Sequence, residues 1–338
     1  MMTEIVLPGL VEPDGLVIRQ RPLPEPTPGQ VRVTVEASGV SFAEQQMRRG
    51  KYYDQPPFPF VPGYDVVGLV TATGEGVDPA LHGRRVAVLT KIGGWATDAI
   101  VDAGDLVPVP DGIDPADAET VVVNGITAWQ MLHRHAKVRP GGTILVHGAN
   151  GGVGSTLVQL AKHAGIRVLG TASPRNHDAV RALGAEPIDY RSDVPARVRE
   201  LAPNGVDAVF DHIGGKSVDD SYRLLAPKGA LISYGSAATK NDPGNSQLPV
   251  LTLIARLAWW NALPNGHRAM FYNIWTGRRR RASFQAKLRE DLGAVFRLLA
   301  DGAITAQVAA RIPLTDAAKA LELAESGTVT GKVVLVTR

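Results

Sequence analysis

The most specific chemistry in the chain lies in residues 143–173, TILVHGANGGVGSTLVQLAKHAGIRVLGTAS. Ala149, Gly151 and Gly154 stand at the spacing of the G-x-G-x-x-G fingerprint, with Asn150, Gly152 and Val153 filling the turn between them. In that pattern one small residue permits a tight turn, one lets the backbone approach a pyrophosphate, and one allows the helix to pack closely. Alanine in the first position is a departure of one methyl group, which such a turn can tolerate. The helix that opens there offers unpaired N–H groups to phosphate oxygens. Glycine-rich turns also arise for packing alone. Here the flanking strands, the helix and the spacing to the second strand agree, so the stretch reads as a dinucleotide site.

The next residues bear on which dinucleotide. In the NAD form of the fingerprint, an acidic residue about 20 positions past the glycines bonds the ribose 2′-hydroxyl. Ser173 holds that place, and Arg175 follows it. A hydroxyl and a guanidinium suit a 2′-phosphate that a carboxylate would repel, so the expected cofactor is NADPH. Tyr190, at the end of the following strand, is expected to pack on the adenine ribose.

Those residues need a scaffold. Residues 143–147 and 165–171 are short apolar runs rich in β-branched side chains, with a helical pattern between them. The alternation continues: helix 178–183, strand 187–190, helix 194–201, strand 208–210, helix 217–225 and strand 230–233. Such alternation calls for an α/β fold with a doubly wound parallel sheet. Ligands of these sheets sit beyond the strand carboxyl ends, which puts His212, Ile213, Tyr234, Gly235 and Ser236 beside the cofactor. His212 could titrate or donate to a ribose, although a histidine at a strand end is also commonly incidental. Residues 1–123 read instead as a β-rich, barrel-like antiparallel domain. Its strands fall near 17–19, 31–36, 66–71, 85–89 and 97–101, and a proline-rich segment at 21–30 forbids regular structure across itself.

Composition narrows the function. A chain of 338 residues is expected to hold two domains. The net charge of +3 comes without long basic stripes, which argues against a nucleic-acid partner. The first residues lack the apolar core of a signal peptide or membrane span, so the expected compartment is the cytoplasm. There is no cysteine, so neither disulfides nor a thiolate zinc site can form. His133 and His135 are two apart on a helical pattern, hence on different faces, and do not make a metal pair.

Residues 37–68, ASGVSFAEQQMRRGKYYDQPPFPFVPGYDVVG, carry a family resemblance. With Gly39, Val40, Phe42, Arg49, Gly50, Tyr52, Pro62, Gly63 and Gly68, the segment resembles the amino-terminal signature of the medium-chain dehydrogenase/reductase superfamily, in its zinc-independent quinone oxidoreductase and VAT-1-like branch. Ser41 replaces the family's Asn, Glu44 its Asp, Asp65 its Glu, and Tyr64 stands where the zinc enzymes have a ligand His. The resemblance continues at Asn124, Gly125, Thr127, Ala128 and Trp129, and again in the tail, where a strand, a helix after residue 316 and a last strand at 332–336 return to the first domain. It implies a Rossmann sheet plus a β-rich GroES-like barrel. The barrel would comprise residues 1–123 and 276–338, and the dinucleotide domain 124–275 with an apolar insert at 238–264. It also implies that Asn124 and Thr127 reach the cofactor, Thr127 at its nicotinamide end. Thr127 could equally bond back to its own helix carbonyls. Tyr52 and Ser41 would line the substrate pocket, with Tyr52 able to bond a carbonyl and donate a proton; its alternative is a ring packed under a loop. Tyr64 and Asp65 read as structural, a turn residue and a carboxylate accepting backbone N–H groups.

The activity this implies is NADPH-dependent hydride transfer, without metal, to the β-carbon of an enone or to a quinone. The resulting enolate would be protonated by water or by Tyr52. Two alternatives stand beside it: an NADPH-binding protein with little turnover, which Ser41 and the insert favour, and a non-redox biosynthetic enzyme such as a cyclase on the same fold. The expected partners are an apolar small molecule and a second copy of the chain, joined through an edge strand at 269–274 in line with the family. In the insert, Pro249 and Pro264 bracket about four turns of apolar helix, too short to cross a bilayer. One face needs a core. The other could meet a ligand, a partner subunit or a membrane surface, and its place after Tyr234–Ser236 favours a wall of the substrate site, with Trp259 and Trp260 as contact area.

Overall fold

The computed structural model describes residues 1–239 and 247–337. Residues 240–246 of the insert expected at 238–264 lie outside these. The chain divides into two compact units, Met1–Ile126 with Gly277–Arg338, and Thr127–Thr276.

In the first unit the strands are β1 (Met2–Val6), β2 (Val17–Arg21), β3 (Gln30–Val40), β4 (Asp65–Thr73), β5 (Arg85–Leu89), β6 (Asp98–Asp102) and β7 (Val107–Pro108). Helix α1 (Phe42–Arg48) follows β3, and α2 (Pro115–Thr120) and α3 (Val122–Trp129) lead into the second unit. There, β8 (Thr143–Val146), α4 (Gly152–His163), β9 (Arg167–Ala172), α5 (His177–Leu183), β10 (Ala185–Asp189), α6 (Val194–Leu201), β11 (Val206–Asp211), α7 (Lys216–Tyr222) and β12 (Leu225–Ser233) alternate as expected. Helix α8 (Gln247–Asn261) and β13 (Arg268–Phe271) complete it. Helix α9 (Arg281–Ala300), β14 (Val308–Pro313), α10 (Ala317–Glu325) and β15 (Lys332–Val336) return to the first unit.

Among the described residues the first unit has a seven-stranded sheet, ordered β14-β15-β3-β4-β5-β7 with β6 also pairing β3, and a small β1-β2 ribbon. Strand β3 organises it: Val31, Val33 and Val35 are buried, and the residues between them are not, as a period of two requires. Those valines pack with Val66, Val70, Val86 and Val88 of the neighbouring strands. The carboxyl-terminal strand β15 lies antiparallel to β3, which ties the last residues of the chain to the first domain.

The second unit is a six-stranded sheet in the order β10-β9-β8-β11-β12-β13, all pairs parallel. In chain order this is 3-2-1-4-5-6, and the direction of winding reverses between β8 and β11. Strand β13 is shorter than the 269–274 run expected for it and starts one residue earlier. It ends at Phe271, after which the Tyr272 N–H still donates to Ser233 O at 2.7 Å. Helix α8 also starts earlier than the proline bracket suggests. Pro249 falls inside its first turn, where a missing N–H costs no helix bond. Leu253, Leu257 and Trp260 pack that helix on the sheet, and Leu251, Ile254 and Trp259 stay exposed. Among the described residues no helix is long and apolar enough to cross a membrane.

Candidate cofactor and active site

The turn after β8 is built by four small residues. Gly148 has φ +64° and donates its N–H to Thr171 Oγ1 at 3.0 Å, so it, rather than Ala149, makes the sharp turn. Ala149 is fully buried with its N–H on Thr171 O at 2.9 Å, and its methyl lies where a Cβ on Gly170 would sit, 2.7 Å away. The departure at the first fingerprint position is thus accommodated by a glycine on β9. A Cβ on Gly154 would overlap Gly148 O and touch Ala149 Cα at 3.0 Å, which fits the close-packing role. At Gly151 it would meet only Gly148 O, at 3.4 Å, so space is left beside the turn. The first backbone bond of α4 is Ser155 N–H to Gly151 O at 2.8 Å, which leaves the N–H groups of Gly152, Val153 and Gly154 outside the helix ladder.

A buried polar network missed in the sequence supports the loop after β11. Asp211 is fully buried; Oδ1 accepts the Ile213 and Gly214 N–H groups at 2.8 and 3.0 Å, and Oδ2 accepts the Ser217 and Ser221 hydroxyls at 2.7 and 2.8 Å. His147 Nε2 lies 3.1 Å from Ser221 Oγ, and its Nδ1 3.4 Å from Thr171 Oγ1. Since Ser221 donates to Asp211, the neutral tautomer with Nε2–H satisfies the chain. Burial holds the His147 imidazole below its usual value, Asp211 opposing in part. His212 is lowered in the same way, chiefly by burial. The only signal for this network in the sequence is a histidine at the end of a core strand.

The loops after β11 and β12 are stitched together. Ala237 donates to His212 O at 3.0 Å and Ala238 to Ile213 O at 2.8 Å, and a Cβ on Gly235 would sit 2.7 Å from His212 O. The His212 and Tyr234 rings stand 5.9 Å apart. A Cβ on Gly148 would lie 2.5 Å from His212 Cε1, so the glycine turn and the β11 loop meet at the reversal point of the sheet. The structure therefore gathers Ala149 to Gly154, His212, Ile213, Tyr234, Gly235 and Ser236. Ser173 follows the last residue of β9, one strand away, and Arg175 lies in the short helical turn after it. Ser173 Oγ and His212 Nδ1 are buried without a hydrogen-bond partner among the described residues. Tyr190 is half exposed with Arg191 over its ring. Asn124 and Thr127 are buried in α3, the Asn124 amide donating to Thr120 O at 3.0 Å.

In the first unit, Tyr52 and Tyr64 are buried with their hydroxyl oxygens 2.8 Å apart. Burial first, then the Tyr64 and Tyr53 phenols, push Tyr52 well above the ordinary phenol range. Ser41 is the N-cap of α1: its hydroxyl accepts from Ala43 N–H at 3.1 Å and bonds Glu44, whose carboxylate accepts the Ser41 N–H at 2.9 Å. That reciprocal cap commits the hydroxyl to the helix. Asp65 does accept a backbone N–H, from Val123 at 3.0 Å, and also binds Lys332 Nζ at 2.7 Å. Lys332 reaches Glu119 Oε1 at 2.6 Å as well. This buried triad joins elements 267 residues apart in sequence, and no local pattern announces it. Burial and Asp65 beside it push Glu119 well above the usual carboxylate range. His133 packs on Trp129 at 4.3 Å and His135 on Tyr272 at 5.8 Å, on different sides as their spacing requires. Among the described residues no three His, Cys, Asp or Glu side chains form a metal cluster.

A parallel sheet in this order with its glycine turn at the reversal point is of the Rossmann class. Comparison with known proteins adds the family. Residues 27–111 match the model of the alcohol dehydrogenase GroES-like domain, and residues 183–335 that of the zinc-binding dehydrogenases. A mycobacterial quinone oxidoreductase structure is 30% identical, with TM-score 0.82 over 99% of this chain and 100% of that one. A mycobacterial protein solved with NADPH is 29% identical, with TM-score 0.84 over the same shares. The rat synaptic vesicle membrane protein VAT-1 homologue is 37% identical over 76% of this chain, and the match spans 64% of that protein's length. The chain belongs to the medium-chain dehydrogenase/reductase superfamily, in its zinc-independent quinone oxidoreductase and VAT-1-like branch.

Proposed function

We propose that the protein is an NADPH-dependent, metal-free reductase that transfers hydride to an activated C=C of an enone or to a quinone. The observation that carries the reading is the glycine turn at the sheet's reversal point: close-packed at Gly148 and Gly154, open at Gly151, and followed by N–H groups outside the helix ladder. The relatives support it, one being solved with NADPH and one being a quinone oxidoreductase.

In this reading the first turn of α4 holds the pyrophosphate, and Ser173 Oγ, buried without a partner, is available to the ribose 2′-phosphate together with Arg175. His212, Ile213, Tyr234, Gly235 and Ser236 would border a bound cofactor, and the family resemblance would add Asn124, Thr127 at the nicotinamide end, and Tyr190 at the adenine ribose. Bound NADPH supplies the hydride. Tyr52 holds the substrate carbonyl by hydrogen bonding, which steadies the negative charge that develops on oxygen. A phenol whose proton is held so tightly is a poor acid, so the carbon is protonated by water and Tyr52 remains neutral. Ser41 has no catalytic part, its hydroxyl being used in the α1 cap.

Within the insert, Trp260 stacks on Tyr222 at 4.2 Å and serves the core, whereas Leu251, Ile254 and Trp259 form the face available to an apolar substrate. Steady NADPH oxidation by a panel of enones and quinones, undiminished by exhaustive chelation, is the expected result. Tight NADPH binding with no turnover on the panel would favour the low-turnover alternative. The sealed Ser41 hydroxyl, in the place of the family's Asn, is the observation on its side.

A further inference from the structure

We infer that Tyr64 is a positioning residue for the reaction: by donating its phenol proton to Tyr52 Oη, it turns the Tyr52 proton toward the substrate carbonyl. The inference rests on the reductase reading above. A phenol carries one proton and can accept two. For Tyr52 to donate to a substrate, its own proton must be spared, so the neighbour 2.8 Å away must be the donor of their shared bond.

The local structure distinguishes the two phenols. Tyr52 sits in a segment without regular structure after α1. Tyr64 is clamped. Its N–H donates to buried Glu44 Oε1 at 2.7 Å, and its carbonyl accepts from the Thr90 and Lys91 N–H groups at 2.9 and 3.1 Å. Gly63 before it has φ +109° and packs so closely on Gly94 and Trp95 that no side chain fits, and Asp65 after it starts β4. The two rings meet edge to face at 6.3 Å. A fixed phenol thus supports a loop phenol, and both are buried, where a hydrogen bond is electrostatically stronger than in water; the Tyr53 phenol, its ring 4.7 Å from that of Tyr52, bonds the same hydroxyl and fills its second acceptor site when Tyr64 donates to the first. The Ser41–Glu44 cap extends the same logic, because it holds the carboxylate that holds Tyr64.

The test is a double-mutant cycle with Tyr52→Phe, Tyr64→Phe and the pair, read by kcat on the best substrate of the panel, NADPH KM and Tm. If Tyr64 acts through Tyr52, Tyr64→Phe lowers kcat roughly tenfold, the rate equivalent of one hydrogen bond, with NADPH KM unchanged. It then costs nothing further in the Tyr52→Phe background. A loss of the same size with or without the Tyr52 hydroxyl, whether in kcat or through lower stability, would mark Tyr64 as structural and overturn the inference, as would full activity in Tyr64→Phe. Failure of the wild type to oxidise NADPH with any panel member is a different result, and sinks the reductase reading itself.

Discussion

At the scale of single residues, an exposed guanidinium and a buried imidazole do different work. Arg175 illustrates the surface case. Its guanidinium is expected to favour the 2′-phosphate, so Arg175→Ala should weaken NADPH binding about tenfold or more and leave NADH unchanged, measured by fluorescence titration of both. Equal losses for the two cofactors would remove the phosphate role. His147 illustrates the buried case. Its folded-state value lies below that of the unfolded chain, so below about pH 6.5 the unfolded state binds the extra proton and stability falls as pH drops. His147→Gln removes that linkage. Denaturant unfolding from pH 7.5 to 5 should show a pH slope shallower than wild type by up to about 1.4 kcal/mol per pH unit. Parallel slopes would mean that His147 is protonated in the fold.

At the scale of elements, the β8–α4 turn separates glycines needed for folding from one needed for binding. Gly154→Val would drive a side chain into Gly148 O and should lower both Tm and NADPH affinity. Gly151→Val meets little protein, so Tm should hold within a few degrees while NADPH affinity is lost. Loss of Tm in both would show that the turn tolerates no side chain for reasons of packing alone. Helix α8 makes a similar division between adjacent residues. Trp260→Ala breaks the stack on Tyr222 and should cost about 2–3 kcal/mol, whereas Trp259→Ala, 66% exposed in wild type, should leave Tm unchanged. If Trp259→Ala raises KM for long-chain but not short-chain enones, the exposed face selects substrate. Equal losses with a change of oligomeric state would assign it to assembly.

At the scale of the molecule, the two units differ in how they are closed. The first ties its carboxyl-terminal strand β15 to β3 and secures it with the buried Lys332–Asp65–Glu119 triad. Breaking such a triad by removing one partner leaves an uncompensated buried charge. The second ends on β13, which among the described residues pairs only with β12, so an edge of the parallel sheet is left open. Open edges invite strand pairing. We expect a homodimer through this edge, and light scattering at micromolar concentration should return twice the mass of one chain; a monomer there would remove the idea.

The sequence by itself determined the alternating α/β order of the second unit, the glycine turn and the family signature, because each is carried by residues close along the chain. Period-two and period-3.6 patterns and a turn that needs small residues are local facts of backbone geometry. The strand at 208–210 was thereby recognisable, though not its full extent from Val206 to Asp211. Only the tertiary structure decided that Gly148 rather than Ala149 bends the chain, since a run of small residues does not say which of them takes the positive φ, and the His212 ring leaves no room for a side chain at Gly148. It alone showed Trp260 packed on the sheet beside an exposed Trp259, and Tyr64 on the Tyr52 hydroxyl. Those outcomes rest on contacts between segments far apart in sequence, or on which side of a helix meets the sheet. Composition and spacing leave such contacts open until packing chooses among them.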